Sequence, residues 1–275
     1  MKKTINIFAK LALAIICFAG VLLVAGCNEK ELVNIGLSAN IKTQYLLNEN
    51  IDLNGAKLVL TYSDDSQKEL VISGDMITGF DTTTIGERAM TITYKGKQIN
   101  VEYVVLDFDD ALRRVQNKIF NAEKVQAVFK VNVGTENETI HTKVTVNNNC
   151  LKELHMNSSG AEGNYTIYNF STNKEYSSET NSVSNSTYTK EQIYTHSYLG
   201  AYIDSSNTIT NKLLTINTNT LVLTYKITVS GNTFDIVAVV GTDYRVQTIN
   251  INHTKGNASL TYDFDNVPTI DWTYE

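Results

Sequence analysis

From Val33 onward the chain is written in short stretches in which apolar and polar residues alternate, the period of a strand with one buried face. Lys57-Leu58-Val59-Leu60-Thr61-Tyr62 alternates, Ser63-Asp64-Asp65-Ser66 supplies a turn, and Glu69-Leu70-Val71-Ile72 returns as hairpin partner. Met90-Thr91-Ile92-Thr93-Tyr94, the turn Lys95-Gly96-Lys97 and Ile99 to Val105 repeat the arrangement. Short strands separated by turn signals over residues 33–106 predict a small β-sandwich. At that size its stability margin is expected to be modest.

The period then changes. Leu112, Val115, Ile119 and Phe120 fall at i, i+3, i+7 and i+8, which predicts an amphipathic helix over 110–122 with one apolar face. Asp109 is placed to cap it, and Asp110 suits its positive end. Capping accounts for the cluster Asp107-Phe108-Asp109-Asp110 without a metal, the alternative being an oxygen-lined Ca²⁺ site.

Alternation resumes in Val125–Val133, Thr139–Val146, Leu151–Met156 and Tyr165–Phe170. It continues in Thr220–Val229, Phe234–Val240, Tyr244–Asn252 and Ala258–Phe264. Leu221, Leu223, Tyr225, Ile227 and Val229 share one face, as do Phe234, Ile236, Ala238 and Val240 beyond the turn Ser230-Gly231-Asn232. Ser171–Thr189 offers little to bury and reads as a mobile loop. Ile193, Tyr194, Tyr198, Leu199 and Tyr202 allow a short helix, and Lys212-Leu213-Leu214 suits another. The expected fold is therefore mainly β: a small sandwich over 33–106, then a large, twisted, half-barrel-like antiparallel sheet with an N-terminal amphipathic helix over 107–275.

The start of the chain follows a different pattern. Lys2, Lys3 and Lys10 precede an apolar run from Leu11 to Val24, which ends in Ala25, Gly26 and Cys27. A positive start, a short apolar segment and a small-residue exit have the form of a secretory signal. The run is shorter than the roughly 20 apolar residues of a spanning helix. Val24-Ala25-Gly26-Cys27 resembles the lipobox of bacterial lipoproteins. That resemblance implies cleavage between Gly26 and Cys27 and a diacylglyceryl thioether, carrying chains such as palmitate, on the Cys27 sulfur. Residues 1–26 are then the signal peptide and 27–32 a lipidated tether. Two acyl chains form a durable anchor where one binds only marginally, so the protein is expected outside the cytoplasm, lipid-anchored at the membrane or cell surface without spanning it.

Removal of Lys2, Lys3 and Lys10 moves the formal charge from −6 to −9. No basic footprint for nucleic acid is visible, and the acyl anchor must do what electrostatics would not on an anionic membrane. Of the cysteines, Cys17 leaves with the signal and Cys27 is lipidated, so Cys150 has no intrachain partner and is read as a small buried hydrophobe. His141, His155, His196 and His253 lack ligand spacing, and no metal or cofactor is expected. The 15 tyrosines suit the edge of a core, ring inside and hydroxyl wet. Asp263, Asp265 and Asp271 are close in sequence, but nothing places them across a cleft, and no phosphate loop or nucleophile elbow occurs. The chain is accordingly read as no enzyme.

Tyr45 to Gly55, followed by Leu60-Thr61-Tyr62-Ser63-Asp64-Asp65-Ser66, Thr78-Gly79-Phe80-Asp81-Thr82, Ile85-Gly86 and Met90 to Lys97, is similar to the bacterial Ig-like domain, group 3. Asp65 stands where that family's turn usually has glycine, a replacement Asp tolerates in turns. The resemblance implies a spacer or binding module of a surface protein and carries over no catalytic residue. Ala111-Leu112, Asn121 to Phe129 and Leu260-Thr261-Tyr262-Asp263-Phe264 resemble, in architecture more than in motif, the lipoprotein carrier and lipoprotein-sorting superfamily. There a half-barrel holds an acyl chain against the helix, which would make Leu112, Val115 and Ile119 cavity-facing. Two functions follow from these expectations: non-catalytic binding, adhesion or spacing at the surface toward a cell-wall or protein ligand, or lipid handling in an apolar cavity.

Overall fold

The computed structural model describes residues 30–38, 41–132, 139–157 and 160–274. They divide into two compact units. The first runs to Thr43 and takes in Ile51–Phe80 and Ala89–Glu102; the second comprises Gln44–Asn50, Asp81–Arg88 and the chain from Tyr103 onward.

In the first unit β1 (Leu32–Leu37), β3 (Lys57–Tyr62) and β4 (Gln67–Val71) form an antiparallel sheet in the order β1-β3-β4. β5 (Ile77–Thr78) pairs with β6 (Gly86–Tyr94), and Lys95-Gly96 leads into β7 (Lys97–Leu106). Ile35, Leu58, Leu60, Met90, Ile92 and Val101 are all buried, so the alternating apolar positions of both sheets become the sandwich core. Asp65 adopts the left-handed conformation that glycine takes most readily, at φ 61°. Lys95 and Gly96 both have positive φ, the mark of a type I′ hairpin turn whose twist matches the strands it joins.

The second unit begins with β2 (Gln44–Leu46), parallel to the end of β7 through Gln44 opposite Val104 and Leu46 opposite Leu106. Helix α1 (Phe108–Phe120) follows β7 directly. It starts two residues before the expected boundary because its N-cap is Asp107, which accepts from the Asp110 amide at 2.8 Å; Asp109 is not the cap. Instead Asp109 pairs with Lys212 at 2.7 Å.

Eleven strands then build one sheet in which every neighbouring pair is antiparallel. The first meander is β8 (Val125–Asn132), β9 (Thr139–Asn147), β10 (Cys150–Met156), β11 (Glu162–Asn169), β12 (Lys174–Ser177) and β13 (Ser182–Asn185). The second is β14 (Thr208–Ile216), β15 (Thr220–Val229), β16 (Asn232–Gly241), β17 (Val246–His253) and β18 (Gly256–Asp263). Pairing of β18 with β8 joins them, giving the order β13-β12-β11-β10-β9-β8-β18-β17-β16-β15-β14. Asn148-Asn149 and Ser230-Gly231 have positive φ at both central positions and close tight hairpins.

Two expectations are corrected here. The polar stretch 171–189 contains the edge hairpin β12–β13, anchored by the buried Tyr176 opposite Ile167. Lys212-Leu213-Leu214 lies in a strand, with Leu213 58% exposed and Leu214 buried.

Since β13 and β14 sit at opposite edges, the segment between them must cross the sheet. It does so as helix α2 (Lys190–His196), capped by Thr189, and an irregular run with Leu199 and Ile203 fully buried. Two buried phenols fix that run: Tyr225 donates to the Tyr202 carbonyl at 2.6 Å and Tyr262 to the Leu199 carbonyl at 2.8 Å. Burial pushes both phenols far above the ordinary tyrosine range. The opposite face carries Cys150 and Ile167, with Ile270, Trp272 and Tyr274 packed on them.

Candidate binding groove beside the first helix

Of the residues singled out in the sequence, Gly26 and Cys27 lie outside the described residues, as does the segment 1–26 expected to be a signal peptide. Leu112, Val115 and Ile119 share the buried face of α1, each at most 1% exposed, in the same core cluster as Val125, Val144 and Leu223. The periodicity that marked them thus locates the seam between helix and sheet.

The opposite flank of α1 is polar and borders an open groove of about 810 Å³. Arg113, Arg114, Asn117, Lys118 and Asn121 come from the helix and its C-cap, and Glu123 and Lys124 from the turn into β8. The other wall is Tyr244 and Arg245 from the β16–β17 turn, with Phe264 and Asp265 after β18. Ala122 and Glu87 complete the lining.

Several of these groups hold one another in place. Arg114 Nε meets Asp110 at 2.7 Å, its guanidinium lies 5.3 Å from the Tyr244 ring centre, and Glu87 is 3.6 Å away. Arg113 bonds to the other Asp110 oxygen. Burial alone would raise the Asp110 carboxyl, but the hydrogen bonds from Arg114 and Arg113 keep it below the usual range. Tyr244 is raised by burial, against the pull of Arg114 and Gln44. Its φ of 67° is uncommon for a bulky residue. The turn sustains it through Tyr244 N to Gly241 O and Gly241 N to Arg245 O, both 2.9 Å. On the far wall, Arg245 lies over Phe264 at 5.5 Å and 3.5 Å from Asp265, and Lys124 donates to the Asp265 carbonyl at 2.7 Å.

Lys118 and the side-chain amides of Asn117 and Asn121 have no hydrogen-bond or ion-pair partner among the described residues. The groove thus offers uncommitted donors between two aromatic–guanidinium walls, an arrangement that can bind and orient a polar ligand. Among the described residues no group of three or more His, Cys, Asp or Glu side chains is placed to hold a metal, and no helix is long and apolar enough to cross a membrane. Sequence reasoning missed the groove because its lining comes from separated segments. The one local signal was the polar stripe Arg113, Asn117, Lys118 and Asn121 on the solvent side of the helix.

Comparison with known proteins gives partial overlaps. Over 80 residues the chain is 32% identical to pectate lyase L of Thermoclostridium stercorarium, covering 28% of this chain and 6% of that protein. The chain therefore spans only a small fraction of that relative's length. Among solved structures, lipoprotein LppX of Mycobacterium tuberculosis overlaps 59% of this chain and 97% of its own, with 10% identity and a TM-score of 0.37. An uncharacterized conserved protein of Thermus thermophilus overlaps 59% of this chain and 88% of its own, with 13% identity and a TM-score of 0.34. Within the chain, residues 39–105 match the family of bacterial Ig-like domains, group 3.

Proposed function

We propose that this protein is a non-catalytic binding protein of the bacterial cell surface, anchored by a diacylglyceryl group on Cys27. The observation that carries the reading is the Ig-like match at 39–105 directly behind Val24-Ala25-Gly26-Cys27. A surface module placed immediately after a lipobox fits export and anchoring together. The Ig-like domain serves as spacer, and the groove beside α1 is where the second unit meets its ligand. The alternative, a lipid carrier, needs an apolar cavity at Leu112, Val115 and Ile119. It would have to open a core in which those side chains are at most 1% exposed, so binding at the groove is the preferred reading.

Cells expressing the full precursor and fed labelled palmitate test the anchor. The wild-type chain is expected to carry label in the membrane fraction, and Cys27→Ser to carry none. Label retained on Cys27→Ser would overturn the assignment.

A further inference from the structure

We infer that the groove beside α1 binds an acidic glycan, a sugar chain or related polyol polymer bearing carboxylates or phosphodiesters along its length. This gives a chemistry to the binding role proposed above, and rests on it only in taking the second unit as the part that binds.

Charge is the first argument. The lining has five Lys and Arg against three Asp and Glu, in a chain whose overall balance is −6. Arg114 and Arg113 both pair with Asp110, but Arg113 does so with a side chain that stays 58% exposed, and Lys118 has no partner among the described residues. Lys118 and the part of the Arg113 guanidinium that Asp110 does not engage are the cations open to acid groups. The second argument is the company they keep. Asn117 and Asn121, one helical turn apart, offer free amides to hydroxyls, and the half-buried Tyr244 and Phe264 supply ring surface of the kind a sugar's CH face packs against. The volume of about 810 Å³ lies in the range of ligand sites and accommodates a short stretch of chain.

Other anionic partners fit less well. Peptides are commonly held by a free strand edge or by apolar anchors in a groove, whereas β17 and β18 are paired on both sides and the lining is polar. Double-stranded DNA carries a negative charge about every 1.7 Å of its axis and calls for equally dense positive charge, which a groove interrupted by Glu87, Glu123 and Asp265 does not supply. A membrane surface calls for cations projecting from a convex face, and these line a concavity.

The test uses the chain produced from Asn28 onward with both units present, so that lipidation at Cys27 does not enter the result. Titration calorimetry at low salt would compare hyaluronate oligosaccharides, poly(glycerol phosphate), neutral dextran of similar length and phosphatidylglycerol vesicles. Binding of either acidic polymer, with dextran at least tenfold weaker, is expected, and the polymer preferred tells carboxylate from phosphodiester. The double variant Arg113→Glu, Lys118→Glu should weaken binding at least tenfold. Should it fail to fold, Asn117→Ala, Asn121→Ala provides the second test and should weaken binding several-fold. Failure of both acidic polymers to bind, equal binding of dextran, unchanged affinity in the folded variant, or binding confined to phosphatidylglycerol vesicles would overturn the inference.

Discussion

Asp107 and Asp110 divide two tasks at the start of α1. Asp107 caps the helix by accepting from the Asp110 amide, and the Asp110 carboxylate holds Arg113 and Arg114 along the groove. Asp107→Ala is expected to cost about 1 kcal/mol in urea unfolding, the usual loss for a removed N-cap. Asp110 carries a pH signature. Its folded pKa is depressed, so its contribution is complete above the unfolded value near 3.9 and is lost as pH falls through the lower folded value. Asp110→Asn should therefore lower stability by up to about 1 kcal/mol at pH 7, solvent screening limiting the effect. The gap to wild type should begin to narrow below about pH 4 and close only once pH has fallen below the depressed folded value, and a gap independent of pH would contradict the pairing. At Cys150, burial raises the thiol's pKa and the side chain is 2% exposed. Iodoacetamide at pH 8 should leave it unmodified in the native protein and alkylate it in urea. Rapid native labelling would show that Ile270 and Trp272 do not cover it.

At the scale of elements, α1 and the crossing segment 186–207 determine how the large sheet is covered. Leu112→Ala removes a fully packed side chain from the seam and should cost about 2–5 kcal/mol, read as a lower urea midpoint with unchanged slope. Gly200 offers a sharper test of the crossing. A Cβ there would lie 2.7 Å from the Tyr194 carbonyl oxygen and 3.2 Å from the Phe120 ring, so Gly200→Ala should destabilise by about 1–3 kcal/mol although it adds only a methyl group.

These elements differ in how plainly the sequence announces them. β3 and β15 coincide with their alternating runs, since each places an apolar side chain on the core face at every second position. β12 and β13 are four residues long and together bury only Tyr176, too little to distinguish a strand from a polar loop. Lys212-Leu213-Leu214 misled because two adjacent leucines suit either period, and the alternation shows only in their unequal exposure. The helix cap shifted to Asp107 because three acidic residues in four positions offer equivalent chemistry, and backbone geometry makes the choice. The groove was the least legible feature. No local pattern specifies that residue 87, the flank of α1, a turn at 244 and the segment after β18 will converge.

For the whole molecule, the two meanders of the sheet meet where β18 pairs with β8, so the carboxy-terminal strand of one half completes the other. Seven residue pairs from Asn257 opposite Asn132 to Asp263 opposite Gln126 make that join, which brings the end of β18 to the groove wall. The fold thus ties one wall of the groove to completion of the sheet, while presentation at the surface is the proposal that the Ig-like match and Val24-Ala25-Gly26-Cys27 support. The central claim is that this binding unit is displayed from a lipid anchor. Its most direct measurement is the intact mass of the protein extracted from membranes of cells expressing the precursor. The account expects a chain beginning at Cys27, heavier than residues 27–275 by a thioether-linked diacylglycerol. A mass matching an unmodified chain, or one that retains residues 1–26, would contradict it.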